Sequence, residues 1–110
     1  MKKWDDMLPQ YHFSKSEFEA AIFNVFSESQ WQEFIDSIND TIHTISFIIT
    51  VWNGMLYIIH RWSGVMIICD KDAKQKNVCM CNNVVFTLAE LIEFMKALKV
   101  QLLADNIIKQ

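Results

Sequence analysis

The sequence predicts an α+β fold with two N-terminal helices, a four-stranded antiparallel meander and a long C-terminal helix. Helix-capping signatures and apolar stripes of helical period occur near both ends, in residues 14–40 and 87–108. Between these regions, β-branched and aromatic residues replace the helical pattern. The pair Asn53-Gly54 separates two such runs and is a strong hairpin signal.

Length and composition predict one folded domain, residues 1–110. The chain of 110 residues is near the commonest domain size, and its 52% hydrophobic content differs from that of disordered chains. Its apolar runs are much shorter than the roughly 20 residues of a membrane-spanning helix. Asp5 and Asp6 stand where a signal peptide would begin its apolar region. The odd count of three cysteines fits a reducing compartment, so we expect a cytoplasmic protein without membrane association.

The first forty residues predict a helical hairpin. Ser14 and Glu17 form a capping box that begins the first helix, and the second helix follows Ser27 or Ser29. The apolar stripe of the first helix consists of Phe18, Ala21, Ile22, Val25 and Phe26. The second helix carries Trp31, Phe34, Ile35 and Ile38 on one side and Glu33, Asp36 and Asp40 on the other. We expect the hairpin to bury aromatic side chains and to present carboxylates to water.

The strand region has a predicted register. A two-residue turn at Asn53-Gly54 pairs six residues on each side, from Phe47 with His60 to Trp52 with Met55. A second two-residue turn at Ser63-Gly64 pairs His60 with Ile67. A fourth strand spans Val78 to Phe86, after the polar residues 70–77.

Both faces of the predicted sheet are apolar. One face is the expected core face: Ile45, Phe47, Ile49, Val51, Leu56, Ile58, Trp62, Val65, Ile67 and Cys69, with His60 as its polar member. The other mixes Ser46, Thr50, Arg61 and Asp70 with Ile48, Trp52, Met55, Tyr57, Ile59, Met66 and Ile68. A sheet with one solvated face should be more polar than this. Either helices cover both faces in a three-layer core, or the second face is a protein interface.

The C-terminal segment predicts one helix over about residues 88–108. Thr87 and Glu90 form its capping box. The apolar stripe consists of Leu88, Leu91, Ile92, Met95, Leu98 and Leu102, widened by Phe94, Val100, Leu103 and Ile107. Such a broad stripe predicts a helix that is largely buried against the sheet or against another chain.

The candidate reactive residues favour neither a metal site nor an enzyme. If Cys79 lies opposite Cys69, then Cys81 lies opposite Ile67, and His60 completes a zinc-like cluster. The sequence does not fix that register, and no two ligands have zinc-knuckle spacing. No phosphate-binding loop, nucleophile elbow or metalloprotease motif is present. We therefore expect buried thiols, no cofactor, no bound metal and no catalytic activity.

Charge is distributed unevenly along the chain. Residues 1–40 hold eight acidic residues and three lysines, a net charge of −5, whereas the remainder holds seven bases and five acids, a net charge of +2. Lys71, Lys74 and Lys76 make a basic loop that could touch phosphate, but the overall charge of −3 opposes nucleic-acid binding. This distribution favours a basic protein as the partner.

These features predict a protein-binding inhibitor. The carboxylates of Glu33, Asp36 and Asp40 would steer a basic partner, and Trp52, Met55 and Tyr57 would anchor it. A small, acidic, aromatic-rich α+β chain without catalytic motifs is similar in architecture and composition to bacterial immunity proteins that inhibit nuclease toxins. The resemblance, which no motif carries, implies an inhibitor that covers a basic substrate cleft. The alternatives are a homodimeric structural or adaptor domain and a small metal-binding or enzymatic domain around His60 and the cysteines.

Overall fold

The α+β class is confirmed. The computed structural model describes residues 10–70, 77–81 and 87–110, and for residues 10–12 and 77–81 it describes the backbone alone. The elements are β1 (Gln10–Ser14), α1 (Lys15–Val25), α2 (Glu28–Ser37), β2 (Ile42–His43), β3 (Phe47–Trp52), β4 (Met55–His60), β5 (Met66–Asp70), β6 (Asn77–Cys81) and α3 (Leu88–Ala104). The lysine loop and the predicted strand residues 82–86 lie outside the described residues.

The strands form one antiparallel sheet in the order β1-β6-β5-β4-β3-β2. Strands β3 to β6 form the predicted meander. Two short edge strands extend it: β2 pairs with β3, and β1 pairs with β6. Strand β1 was not predicted, because its pairing partner lies more than sixty residues away along the chain.

The β3–β4 hairpin has the predicted register. All six predicted pairs are present, beginning with Phe47 opposite His60. The two turn residues have positive φ angles, 53° at Asn53 and 76° at Gly54, as a type I′ turn requires. Asparagine and glycine adopt this backbone conformation at low cost, so the turn itself fixes the register.

The register between β4 and β5 differs from the predicted one by two residues. Ile67 lies opposite Ile58, not opposite His60. Because side chains alternate with a period of two, a shift of two residues leaves each side chain on its expected face. The predicted faces within β4 and β5 are therefore confirmed although the predicted pairs are wrong.

Side-chain hydrogen bonds account for this shift by closing a four-residue loop. The His60 Nδ1 atom accepts a bond from the Ser63 backbone N–H at 3.3 Å and lies 2.7 Å from the Ser63 hydroxyl oxygen. His60 N–H donates to the Val65 carbonyl at 2.9 Å, and Gly64 within the loop has a φ of 75°. The longer loop carries Trp62 out of the strand. Trp62 was predicted on the core face, and that prediction is wrong, because 70% of it is exposed.

A second tight turn separates β2 from β3. Thr44 Oγ1 accepts a bond from the Phe47 N–H at 2.8 Å, and the Thr44 N–H donates to the Phe47 carbonyl at 2.9 Å. This turn removes Ile45 from the strand in which it was predicted. Ile45 was expected in the core, and the structure corrects this, because 72% of it is exposed.

The three described helices begin with capping boxes, of which the first and the third were predicted, whereas for α2 only a start after Ser27 or Ser29 was predicted. The reciprocal pairs of cap and third helical residue are Ser14 with Glu17, Ser27 with Gln30 and Thr87 with Glu90. In each pair the hydroxyl accepts the backbone N–H of the third residue, whose side-chain oxygen accepts the N–H of the cap. This arrangement satisfies two of the N–H groups that lack helical partners.

Helix α3 is four residues shorter than predicted. The N–H groups of Asn106 and Ile107 donate to the carbonyls of Leu103 and Leu102, respectively, which is a Schellman motif. Asn106 occupies its left-handed position with a φ of 58°. The chain then reverses and places Ile108 in the core, where it is 2% exposed.

One hydrophobic core joins the inner face of the sheet to the three described helices. The inner face contributes Phe47, Ile49, Leu56, Ile58, Ile67 and Cys69. The helices contribute Phe18, Ala21, Ile22, Phe34, Leu91, Phe94, Met95, Leu98 and Leu102. The three-layer arrangement is therefore wrong, because the helical hairpin and the C-terminal helix lie in the same layer. Val100, predicted to widen the stripe of α3, is instead 68% exposed.

Candidate functional site

The sheet face opposite the helices, here called the outer face, carries rows of cross-strand neighbours. In the row nearest the β4–β5 loop, Ile48, Ile59 and Met66 lie side by side on β3, β4 and β5. Each of these three side chains is half-buried, and none belongs to the core cluster formed with the helices. No charged residue interrupts this row. The outer face is therefore an apolar surface that the described helices do not cover.

The predicted anchor residues share one end of the outer face. Trp52 lies opposite Met55, and Tyr57 occupies the same face one step along β4. Trp52 is 65% exposed, whereas Met55 and Tyr57 are half-buried. The Asn53-Gly54 turn brings Trp52 and Met55 together, so local sequence alone accounts for this part of the site. Tyr57 neighbours Ile68 on β5, and Ile68 is 5% exposed.

The predicted acidic residues belong to α2 and the segment after it, in the helical layer. Asp36 is exposed and accepts a hydrogen bond from the Gln32 side chain at 2.8 Å. Asp40 is also exposed, and its carboxylate accepts the N–H of Thr41 at 2.7 Å. Both bonds are local and leave carboxylate oxygens available to solvent or to a partner.

Glu33 differs from the other two acids because it binds the C-terminal segment of its own chain. Its Oε1 atom accepts the Lys109 N–H at 3.0 Å, and the Gln30 amide donates to the Lys109 carbonyl at 2.9 Å. These two hydrogen bonds satisfy both the backbone N–H and the backbone carbonyl of Lys109. They lie beside a groove of about 510 Å³ that Asp36 also lines. Glu33 is half-buried and has a structural role, which the helical period could not reveal.

The acidic segment approaches the outer face at one point. The Thr41 hydroxyl lies 3.0 Å from that of Thr50, and Thr50 is the cross-strand neighbour of Tyr57. Asp40 thus precedes a residue that contacts the outer face, whereas Glu33 and Asp36 lie farther back on α2. The acidic and aromatic residues of the predicted site therefore lie in different layers, which approach each other where Thr41 contacts Thr50 of β3.

The opposite end of the sheet carries exposed residues that the sequence analysis assigned to the core. Arg61 joins the two turns there, since its backbone N–H donates to the Ser46 carbonyl at 2.8 Å and its guanidinium donates to the Thr44 carbonyl at 3.0 Å. The same guanidinium lies 5.7 Å from the centre of the Trp62 ring. With the exposed Ile45, these residues form a surface rich in the side chains that anchor protein interfaces. The unforeseen turn lengths hid it from sequence reasoning.

The structure removes the pairing on which the zinc hypothesis depended. The backbone register places Cys79 opposite Ile68 and Cys81 opposite Met66, one residue away from the pairing with Cys69 and Ile67. Among the residues that the structure describes, no group of three histidine, cysteine or acidic side chains is arranged to hold a metal ion. His60 instead packs against Phe47, with 5.1 Å between the ring centres.

Within the described ranges, no helix has the length and apolar character needed to cross a bilayer. The chain was also compared with known proteins. No family model matches it, and no curated protein or solved structure matches it either.

Proposed function

We propose that this protein binds another protein through the outer face of its sheet and acts as an inhibitor of that partner without catalysing a reaction. The observation that carries the proposal is the placement of all three helices in one core on the inner face. The opposite face of β3, β4 and β5 keeps an apolar row that these helices do not cover. A contiguous apolar surface of this kind is typical of a protein interface.

The residue types on this face support a protein partner. The rings of Trp52 and Tyr57 are large, and these side chains lose little conformational entropy on binding. The flexible side chain of Met55 can adapt to an irregular partner surface. Trp52 is mostly exposed, so a partner can bury much of its surface. These residues would form the centre of the interface, and the polar residues at the strand ends would form its rim.

The acidic residues support a basic partner. Asp36 and Asp40 keep exposed carboxylates, and Asp40 precedes Thr41, which contacts Thr50 on the outer face. Carboxylates at the border of an apolar patch accelerate encounter with a cationic surface. An immunity-type protein that covers the basic cleft of a nuclease toxin would use this combination. Glu33 contributes less to steering, because it binds Lys109 within the chain.

A homodimer is the second candidate, and the same apolar row favours it. The row is uncharged, since it consists of Ile48, Ile59 and Met66. Packing two outer faces together as a sandwich would therefore bury no unpaired charge in this row. In this arrangement the two copies would bury the surface that the proposed inhibitor would use to bind its partner.

The first experiment separates these candidates. The molar mass of the full chain is measured by light scattering over a wide concentration range. In parallel, the wild type and Trp52→Ala are used to capture binding proteins from the native host. A monomer that captures a basic protein, with capture lost in Trp52→Ala, would support the inhibitor. A stable dimer that Ile59→Glu dissociates would support the homodimer and overturn the inhibitor proposal.

The second experiment tests steering with a captured partner. Asp36→Asn and Asp40→Asn together remove two charges and keep the side-chain shapes, so the association rate at low salt should fall severalfold. Glu19→Gln with Glu28→Gln removes the same charge elsewhere and serves as the matched control. Equal association rates for the two double variants would contradict steering by Asp36 and Asp40.

A further inference from the structure

A groove of about 300 Å³ lies between the β4–β5 loop and α3, away from the outer face. Its apolar walls include Phe47, Val65 and Phe94, and its polar lining includes His60, Glu90 and Glu93. The volume is at the small end of the range for ligand sites, about 300–1,000 Å³. An apolar surface combined with a few convergent polar groups is the usual composition of such a site.

Ring contacts and hydrogen bonds position the walls of this groove. Phe47 packs edge to face against Phe94, with 5.5 Å between the ring centres. The His60 ring packs against the same Phe47 ring. The His60 ring is fixed in turn by the bonds that its Nδ1 atom makes with Ser63. Because the backbone N–H of Ser63 donates to Nδ1, the neutral ring carries its proton on Nε2.

The charged residues that line the groove are acidic. Glu90 Oε1 accepts the Thr87 N–H at 2.9 Å, which leaves the second carboxylate oxygen of Glu90 available. Glu93 contacts Lys96 at 3.1 Å, but both side chains are more than half exposed, so this ion pair is weak and easily replaced. The nearby Arg61 is committed elsewhere, because its guanidinium binds the Thr44 carbonyl at the other turn.

We infer that this groove binds the side chain of an arginine or lysine that belongs to a partner protein. The aliphatic stem of such a side chain matches the apolar walls, and its cationic end matches the carboxylates of Glu90 and Glu93. Trp62 is 70% exposed in the loop between His60 and Ser63, both of which line the groove. It offers a surface for an apolar residue beside the basic one. The inference does not rest on the outer face, with which the groove shares no residue.

The test uses a small probe and nuclear magnetic resonance of the full chain. N-acetyl-leucyl-arginine amide is titrated into the protein, with N-acetyl-leucyl-citrulline amide as an uncharged probe of nearly the same shape. We expect saturable shifts at His60, Val65 and Phe94 with the arginine probe and a much weaker response to citrulline. Equal responses to the two probes, or no saturable shift at the groove, would overturn the inference.

Matched variants then separate specific binding from overall charge. Glu90→Gln with Glu93→Gln should raise the dissociation constant about fivefold at low salt, because two exposed ion pairs are lost. Glutamine at position 90 can still accept the Thr87 N–H, so the helix cap is kept. Glu19→Gln with Glu28→Gln is the control and should change the constant less than twofold. An equal loss in the two double variants would show only nonspecific attraction and would refute the assignment of this groove.

Discussion

The difference between the two sheet faces can be measured with neighbouring residues of one type. Ile58 and Ile59 are adjacent on β4, and alternation places them on opposite faces. Ile58 is fully buried in the core, whereas Ile59 is half-buried on the outer face. Replacing each by alanine removes the same atoms and changes strand propensity alike, so each variant is the control for the other.

The structure gives different magnitudes for the two changes. Isoleucine to alanine removes three side-chain carbons, whose full burial contributes roughly 2.4 kcal/mol at about 0.8 kcal/mol each. At Ile58 the helices above the sheet prevent collapse, so a cavity adds to this loss and the total should be about 3–4 kcal/mol. At Ile59 part of the side chain already contacts water and no helix covers it, so we expect about 1 kcal/mol.

Urea unfolding, followed by circular dichroism, measures this comparison. With a slope of about 2 kcal/mol per molar, a difference of about 2–3 kcal/mol separates the two midpoints by roughly 1–1.5 M. Each variant is unfolded at two protein concentrations, because a dimer would make the midpoint depend on concentration. If Ile59→Ala lowered the midpoint as much as Ile58→Ala, the outer face would be packed like a second core. The proposals that use it as a docking surface would then fail.

Three further predictions concern the local contacts of the helical layer. Ser27→Ala should lower the free energy of unfolding by about 1 kcal/mol, because it removes the N-cap of α2, whereas Ser29→Ala should change it much less in the same urea titration. Glu33→Ala should increase the hydrogen-exchange rate of the Lys109 amide severalfold, because that N–H loses its acceptor; an unchanged rate would contradict the bond. Asn106→Ala should lower the thermal midpoint, with a cost of about 1 kcal/mol for its left-handed backbone, whereas Asn106→Gly should not lower it.

Local chemistry determined the helix starts and the first hairpin. Each capping box needs only a hydroxyl and a carboxylate or amide three residues apart, so residues close in sequence specify the start completely. The Asn53-Gly54 turn works in the same way and fixes six cross-strand pairs. Alternation then placed Trp52, Met55 and Tyr57 on one face, as the structure has them. These parts of the fold and of the candidate site were predictable because their causes are local.

Turn lengths were less predictable when a side chain entered the turn. At Ser63-Gly64 the sequence indicated a two-residue turn, but His60 binds Ser63 and closes a longer loop. At the β2–β3 turn, the bond from Phe47 to Thr44 ends a strand that the apolar pattern would have continued. Both errors assigned exposed residues to the core, and they concealed the surface that carries Trp62.

By itself the sequence determined the α+β class, the helix starts, the β3–β4 register and the alternation of faces, because each depends on residues within a few positions of one another. Tertiary structure alone decided which layer the helices occupy, that β1 pairs with β6, and that Glu33 binds the C-terminal segment. These features depend on contacts between residues that are distant in sequence. An apolar stripe indicates that a surface is buried, but it does not indicate which element covers that surface. Whether helices cover the outer face therefore depends on how the layers assemble, and the periodicity of the strands could not predict it.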